Sequence, residues 1–332
     1  MGPSLPPTST RGLETDGRWK VERLVPASPD FHAALYLALN GAPPGTDPAA
    51  DPRILELLTD VHRGSLAVNL LFGTYRHGRL VSACVAVESP GAAALVSLPT
   101  DAKSNSSLGG MVEALRTLRA AAVDRGIVLL EILLPPGSSE LSRTVQAAGF
   151  RFLTGLVYLT RPSNAPGSFH EGVEDSVQEL SWVEYSPETD RLFQEGIERT
   201  YAQSLDCPEL TGLRSTAEVI AGHRAVGLFD PSLWFAALRQ KEPVGVILLS
   251  RMSVPQTLEV VYMGVAQPAR GTGVANALLR RAVDAGDRLD ATTLALAVDQ
   301  RNAPALRLYD KWGFARTGFR DAWIATFVHS GG

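Results

Sequence analysis

Three features in the last third of the chain could do chemistry together: a basic glycine loop, a carboxylate on the strand before it, and an amide and a phenol on a later helix. The loop is Arg270-Gly271-Thr272-Gly273. It follows an apolar, partly β-branched run, Leu258–Val265, and precedes a helical stripe of Val274, Leu278 and Ala282 beside Ala275, Leu279 and Val283. Pro268 ends the strand's ladder, and Gly286 is expected to stop the helix. A glycine loop opening a helix gathers unpaired N–H groups at the positive end of the helix dipole, which suits an anionic phosphate. The glycines let the backbone approach it. The loop is neither GxxxxGK[ST] nor GxGxxG, so the nucleoside-triphosphate and dinucleotide fingerprints both fail. The alternative reading is a plain strand-to-helix turn. Glu259 is a lone charge in the apolar strand, costly to bury unless solvated or paired, which points to a cleft or to a strand edge facing solvent. Even spacing puts Glu259, Val261, Met263 and Val265 on one face. Asn302 and Tyr309, seven residues apart, return to nearly the same helical face. An N-cap for Asn302 and a core position for Tyr309 are the plainer readings.

Arg270-Gly271-Thr272-Gly273-Val274-Ala275 resembles the first cofactor motif, R/Q-x-x-G-x-G/A, of the GNAT acetyltransferase superfamily. A second segment, Leu294–Phe314, resembles that family's other cofactor motif. Val298, Asp299, Asn302, Ala305, Leu308, Tyr309, Gly313 and Phe314 all fall in place. The resemblance implies acetyl-CoA as cosubstrate, an amine acceptor and direct transfer without a covalent acyl-enzyme. It implies that the amides of Arg270 to Ala275 hold the pyrophosphate and that Asn302 bonds the pantetheine arm. Met263, Gly264 and Val265 would form a splayed strand end that pairs with pantetheine, with the Val265 N–H as oxyanion donor. Tyr309 would protonate the departing thiolate, since a phenol with a pKa of about 10 is protonated at neutral pH. Glu259 would be the general base, acting through water. The acceptor would contact residues 201–214, where Asp206 and Glu209 suit a cationic amine, or form a solvated loop. His223 is expected on a helix surface. The competing function is a non-catalytic acyl-CoA-binding or sensing module.

The elements that must position these residues repeat along the chain. Gly149-Phe150 and Gly313-Phe314 lie 164 residues apart. The same offset places Gly109 on Gly273, Ser106 on Arg270, Ser138 on Asn302 and Val145 on Tyr309. The first half thus keeps a frame and lacks the chemical residues, and it keeps Gly109 at a helix start. The expected fold class is α/β: two tandem GNAT-like domains, each a central mixed sheet flanked by helices, similar in layout to mycothiol synthases. Residues 1–16 read as a disordered tail, 17–161 as a degenerate domain, 162–174 as a linker and 175–330 as the catalytic domain. Strands are expected at Trp19–Val25, Leu66–Tyr75 and Arg79–Glu88, the last two joined at His77-Gly78. A helix is expected at Arg53–Val61, a closing strand of the first half at Phe152–Thr160, and a strand at Val177–Trp182. Two separate strands, Phe314–Phe319 and Ala322–Val328, are expected at the end.

Composition narrows the classes. The chain has 332 residues, 45% apolar, and a formal net charge of −4, which argues against nucleic acid held by bulk electrostatics. No apolar run reaches the roughly 18 residues of a membrane span, and no signal peptide is read at the start. Cys84 and Cys207 lie far apart and imply no disulfide framework, which fits a cytoplasmic enzyme. The six histidines show no metal-ligand spacing, so no metal is expected. The sequence is silent on oligomeric state.

Overall fold

The structure, a computed structural model, describes residues 19–40, 68–100, 105–162, 180–252, 254 and 256–327. The expected tail, the helix at 53–61 and the linker from residue 163 onward lie outside the described residues. The chain divides into two compact units.

The first unit comprises residues up to Val87, Val96–Asp124 and Glu140–Gly149. Its strands β1 (Lys20–Leu24), β2 (Leu70–Arg76) and β3 (Arg79–Ser89, to Val87 in this unit) form an antiparallel meander. The β2–β3 hairpin turns at His77-Gly78, both with positive φ, which is why a glycine follows a tolerant residue there. Helix α1 (Phe31–Asn40) buries Phe31 and Leu35 against Leu71 and Val85. Strand β4 (Ala93–Ser97) crosses the unit boundary. Helix α2 begins at Asn105 and runs to Asp124. This corrects one expectation. Gly109 does not open its helix but lies within it, where an added Cβ would meet Trp19 at 3.3 Å, and the neighbouring Gly110 lies against Thr74. These glycines serve close packing, not an anion loop.

The second unit comprises Glu88–Leu95, Arg125–Ser139 and everything from Phe150. Strand β5 (Leu129–Leu134) is followed in the chain by helix α3 (Ser139–Ala147), which belongs to the first unit from Glu140, and then by β6 (Arg151–Pro162). Then come β7 (Ser181–Glu184), helices α4 (Asp190–Tyr201) and α5 (Thr216–Arg224), and strands β8 (Trp234–Arg239), β9 (Glu242–Arg251) and β10 (Thr257–Val265). Helix α6 (Val274–Arg288), β11 (Thr293–Asp299), helix α7 (Ala303–Lys311) and β12 (Ala315–Thr326) complete the chain. The sheet runs β5-β12-β6-β11-β10-β9-β8-β7, and only β10 and β11 pair in parallel. Residue alternation gives it two buried faces. Trp234, Ala236, Val246 and Leu248 pack with Phe193 and Ile197 of α4 and Ile220 of α5. Phe235, Ala237, Ile247 and Leu249 pack with Leu278 of α6 and Tyr309 of α7.

The repeat is visible in element boundaries. Helices α3 and α7, and strands β6 and β12, begin and end 164 residues apart. Their pairing was not foreseen. Strand β6, read as the closing strand of the first half, lies between β12 and β11, antiparallel to both. The two expected final strands are one, β12, with register shifts between Arg316 and Gly318 and between Ala322 and Trp323. These bulges bend a continuous strand where sequence suggested a break. Gly286 does not stop α6, which runs to Arg288 with Gly286 buried inside it. A helical glycine costs only about 1 kcal/mol, which burial of this stripe offsets. Among the described residues no helix is long and apolar enough to cross a membrane.

Candidate active site

The cleft originates in strand pairing. Strand β10 pairs with β11 only over Thr257–Val260 against Thr293–Leu296. Beyond that point β10 stays with β9 as far as Val265, while β11 stays with β6 as far as Asp299. A cavity of about 690 Å³ lies against the freed edge, with Tyr262, Met263, Gly264 and Val265 in its wall. Alternate N–H groups of a strand point to opposite edges. The Ala266 N–H donates to Val244 O at 2.9 Å, so the Val265 N–H points to the side that β11 has left. A β-bulge between Val260 and Tyr262 corrects the expected alternation. Glu259 shares its face with Tyr262 and Gly264, not with Met263 and Val265, which pack on the opposite side with Val260. Gly264 is required where it stands, because an added Cβ would meet the Thr200 side chain at 2.7 Å.

The glycine loop closes one end. Gly271 and Gly273 have φ of +77° and +88°, and Gly273 is the N-cap of α6. The first intrahelical donor is Ala277, whose N–H reaches Gly273 O at 3.1 Å. The N–H groups of Val274, Ala275 and Asn276 precede it, and Gly271, Gly273, Ala275 and Asn276 line the cavity. An added Cβ at Gly271 would enter open space, so this is a cradle a phosphate can approach. Thr272 and Val274 do not line it. The Thr272 hydroxyl donates to Ala269 O and accepts from Arg239, and Val274 is buried. Arg270 borders the cavity, but its guanidinium holds four backbone carbonyls: Val265, Thr200, Ala202 and Gln203, at 2.7 to 3.1 Å. It ties the loop to the C-terminal end of α4, where a cation also complements the helix dipole. Arg270→Met should cost about 2 kcal/mol, seen as a lower unfolding midpoint. An unchanged midpoint would show that these contacts contribute nothing.

A second network fixes residues 206–209, of which Asp206 and Cys207 line the cavity. Asp299 is fully buried and accepts from the Thr154 hydroxyl at 2.7 Å, the Cys207 N–H at 3.1 Å, and the Arg301 N–H and guanidinium. Arg301 also forms a two-pronged pair with Glu209 at 2.6 and 3.0 Å. Glu209 is therefore engaged by a cation of the protein itself. Asp206 accepts from the Asp299 N–H at 2.9 Å and from the Asn302 side chain, and lines the cavity. Asn302 caps α7, accepting from the Ala305 N–H at 3.2 Å, and lines the cavity as well, so both of its readings coexist.

The cavity brings together Met263, Gly264, Val265, Arg270, Gly271, Gly273, Ala275 and Asn302. Tyr309 and Glu259 are not in its wall. The Tyr309 ring is buried edge-to-face against Phe314 at 5.6 Å. Burial, and then the charge of Asp206, hold its phenol above the ordinary range. Its hydroxyl has no hydrogen-bond partner among the described residues. Glu259 is half-buried, and desolvation pushes its carboxyl up.

Tyr201 and Arg214, the ends of the stretch expected to contact the acceptor, line the cavity, and two further lining residues, His223 and Tyr262, went unrecognised in the sequence. His223, expected on a helix surface, faces the cavity with its ring 5.3 Å from that of Tyr262. Its pKa is lowered to about 4 by burial and then by the charge of Arg214, so the imidazole is neutral at pH 7. The available signal was Val219 at i and His223 at i+4, which places both on one face of α5.

Residues 190–314 match the family model described as the acetyltransferase (GNAT) family. A search of curated proteins returned no match. Among solved structures, a GCN5-related N-acetyltransferase from Sphaerobacter thermophilus is similar with a TM-score of 0.61 and 17% identity, covering 93% of this chain and 95% of that one. A tandem GNAT protein from the clavulanic acid biosynthesis pathway is similar with a TM-score of 0.52 and 13% identity, covering 93% and 98%. At these identities the likeness speaks for the fold alone, a mixed sheet flanked by helices. In sequence the likeness to the acetyltransferase (GNAT) family is carried by residues 190–314, and in fold by the whole chain.

Proposed function

We propose that the chain is an acetyl-CoA-dependent N-acetyltransferase that acts on a primary amine, with its one working site in the second half. The observation that carries this reading is the cleft where β10 leaves β11, with a phosphate-suited glycine loop at one end and titratable side chains at the other. Acetyl-CoA would supply the thioester carbonyl and the thiolate leaving group. The amides of Arg270 to Ala275 hold its pyrophosphate, and Asn302 and the freed edge of Met263, Gly264 and Val265 hold its pantetheine arm. Glu259, off the cavity wall on the Tyr262 face, takes the ammonium proton through water. The Val265 N–H donates to the oxyanion as the C–N bond forms. Tyr309 donates its proton to sulfur as the C–S bond breaks; the unpartnered hydroxyl supports this role, while burial keeps the phenol protonated and makes it a weaker acid. The first half is a non-catalytic copy. The free cysteines suit a cytoplasmic enzyme.

The test is release of the CoA thiol with a panel of primary amines. Turnover is expected with at least one class, and acetyl-CoA binding without any turnover would favour a sensing module. Tyr309→Phe should lower kcat by about 100-fold or more, with little change in acetyl-CoA affinity. Full turnover in that variant removes Tyr309 as the acid.

A further inference from the structure

The cavity wall formed by residues 204–214 contains a cation that no carboxylate pairs with among the described residues. Arg214 lies in the loop before α5 and lines the cavity. Among the described residues its guanidinium makes a single hydrogen bond, from Nη1 to Gly91 O at 3.3 Å, and no ion pair. Its Nη1 also lies 3.5 Å from where a Cβ on Gly222 would stand, so the head group is seated between two glycines. Burial disfavours its charge, yet a guanidinium stays protonated in proteins. Tyr201, Glu218 and Glu131 act on it only through space. Arg270, also in the wall, is saturated by four carbonyls, and Arg301, outside the wall, by Asp299 and Glu209; Arg307 and Lys311 of α7 line the cavity as well, but away from the three rings in sequence and on another element. Three polar rings share the cavity wall with Arg214: Tyr201, Tyr262 and His223. With His223 neutral, Arg214 is the only fixed charge in this ring-lined group.

We propose that the acceptor is an amine carrying a carboxylate, and that Arg214 seats this carboxylate in the cavity wall. A guanidinium fork matches a carboxylate with two parallel hydrogen bonds, and a half-desolvated site strengthens them. An amide or a hydrogen in place of the carboxylate leaves the cation unpaired, so discrimination follows from the cost of that unpaired charge. The inference rests on the acetyl-transfer reading of the same cleft, whose product would then be an N-acetylated amino acid.

The test uses the full-length protein with saturating CoA. N-acetylglycine, N-acetyl-L-alanine, N-acetyl-L-leucine, N-acetyl-L-phenylalanine and N-acetyl-L-glutamate are each titrated by calorimetry beside their primary amides. At least one acid is expected to bind about tenfold or more tightly than its amide. Arg214→Gln should bring that acid to the affinity of the amide, and Arg214→Lys should keep part of the advantage. Equal binding of acids and amides by the wild type, or no binding of any acid, overturns the proposal without depending on a variant that folds. So does an acid preference that survives Arg214→Gln. The two readings fail separately. Thiol release with amines that lack a carboxylate, as fast as with amino acids, sinks the Arg214 assignment and leaves acetyl transfer standing. Preferential binding of the acids with no thiol release from any amine does the reverse.

Discussion

Gly273→Glu is expected to lower acetyl-CoA affinity by about 100-fold or more, through two effects that a control separates. Gly273 stands at φ +88° and ψ −10°, where a Cβ costs roughly 1–2 kcal/mol. The new carboxylate also enters the end of the helix where Val274, Ala275 and Asn276 offer their N–H groups, and there it repels a phosphate. Gly273→Ala carries the strain without the charge, so it should bind more weakly than wild type but far better than Gly273→Glu. The fold should tolerate the glutamate, because an anion at a helix N-terminus is worth about 0.3–1 kcal/mol and offsets part of the strain. Calorimetric titration of acetyl-CoA is the measurement. One site per chain in the wild type and none in Gly273→Glu is the expected pair of results. A site that survives in Gly273→Glu would have to lie in the first half. That would contradict the reading of the first half as a non-catalytic copy, in which the helix starts at Asn105 and Gly109 packs against Trp19.

What the sequence disclosed and what it hid divide along a physical line. The glycine loop and the helices beside it depend on local chemistry: positive φ at Gly271 and Gly273, a 3.6-residue stripe on α6, and Asn302 capping α7. Such features are written in a few neighbouring residues, whereas the 164-residue offset between β6 and β12 was passed over in the sequence, where β12 reads as two strands. Strand neighbours are written in no such window. That β6 inserts between β11 and β12 is decided by which apolar faces can be buried together, and both candidate edges offer similar alternation. The bulge after Val260 moved Met263 and Val265 to the face opposite Glu259, because one extra residue inverts every side chain beyond it. His223 escaped for the same reason. It lies on a short helix whose inner face is set by the sheet beneath, and a polar residue there looks in sequence like any exposed one.

Asp299→Ala is expected to cost about 3–5 kcal/mol, the largest stability loss proposed for a single side chain here. The removed carboxylate, itself 0% exposed, leaves the buried Thr154 hydroxyl, the Cys207 N–H and one side of the Arg301 guanidinium without their acceptor. The same group ties β6 to the end of β11 and to residues 206–209, so the loss should extend to the acceptor wall as a raised acceptor KM. Burial alone would push this carboxyl up, but Arg301, Thr154 and the two backbone N–H groups outweigh it and hold the pKa below the usual value. The sign for pH follows. A depressed carboxyl adds stability above its unfolded pKa of about 3.9, and that stability is lost as pH falls toward the folded value. Asp299→Asn keeps the shape but cannot ionise. It should therefore be less stable than wild type at pH 7, with the gap narrowing as pH drops below about 4. Denaturant unfolding of the three proteins across that range decides the matter. If Asp299→Ala unfolds within about 0.5 kcal/mol of wild type at neutral pH, the network is not what holds residues 206–209 against the sheet, and the acceptor wall must be ordered by Arg301 and Glu209 alone.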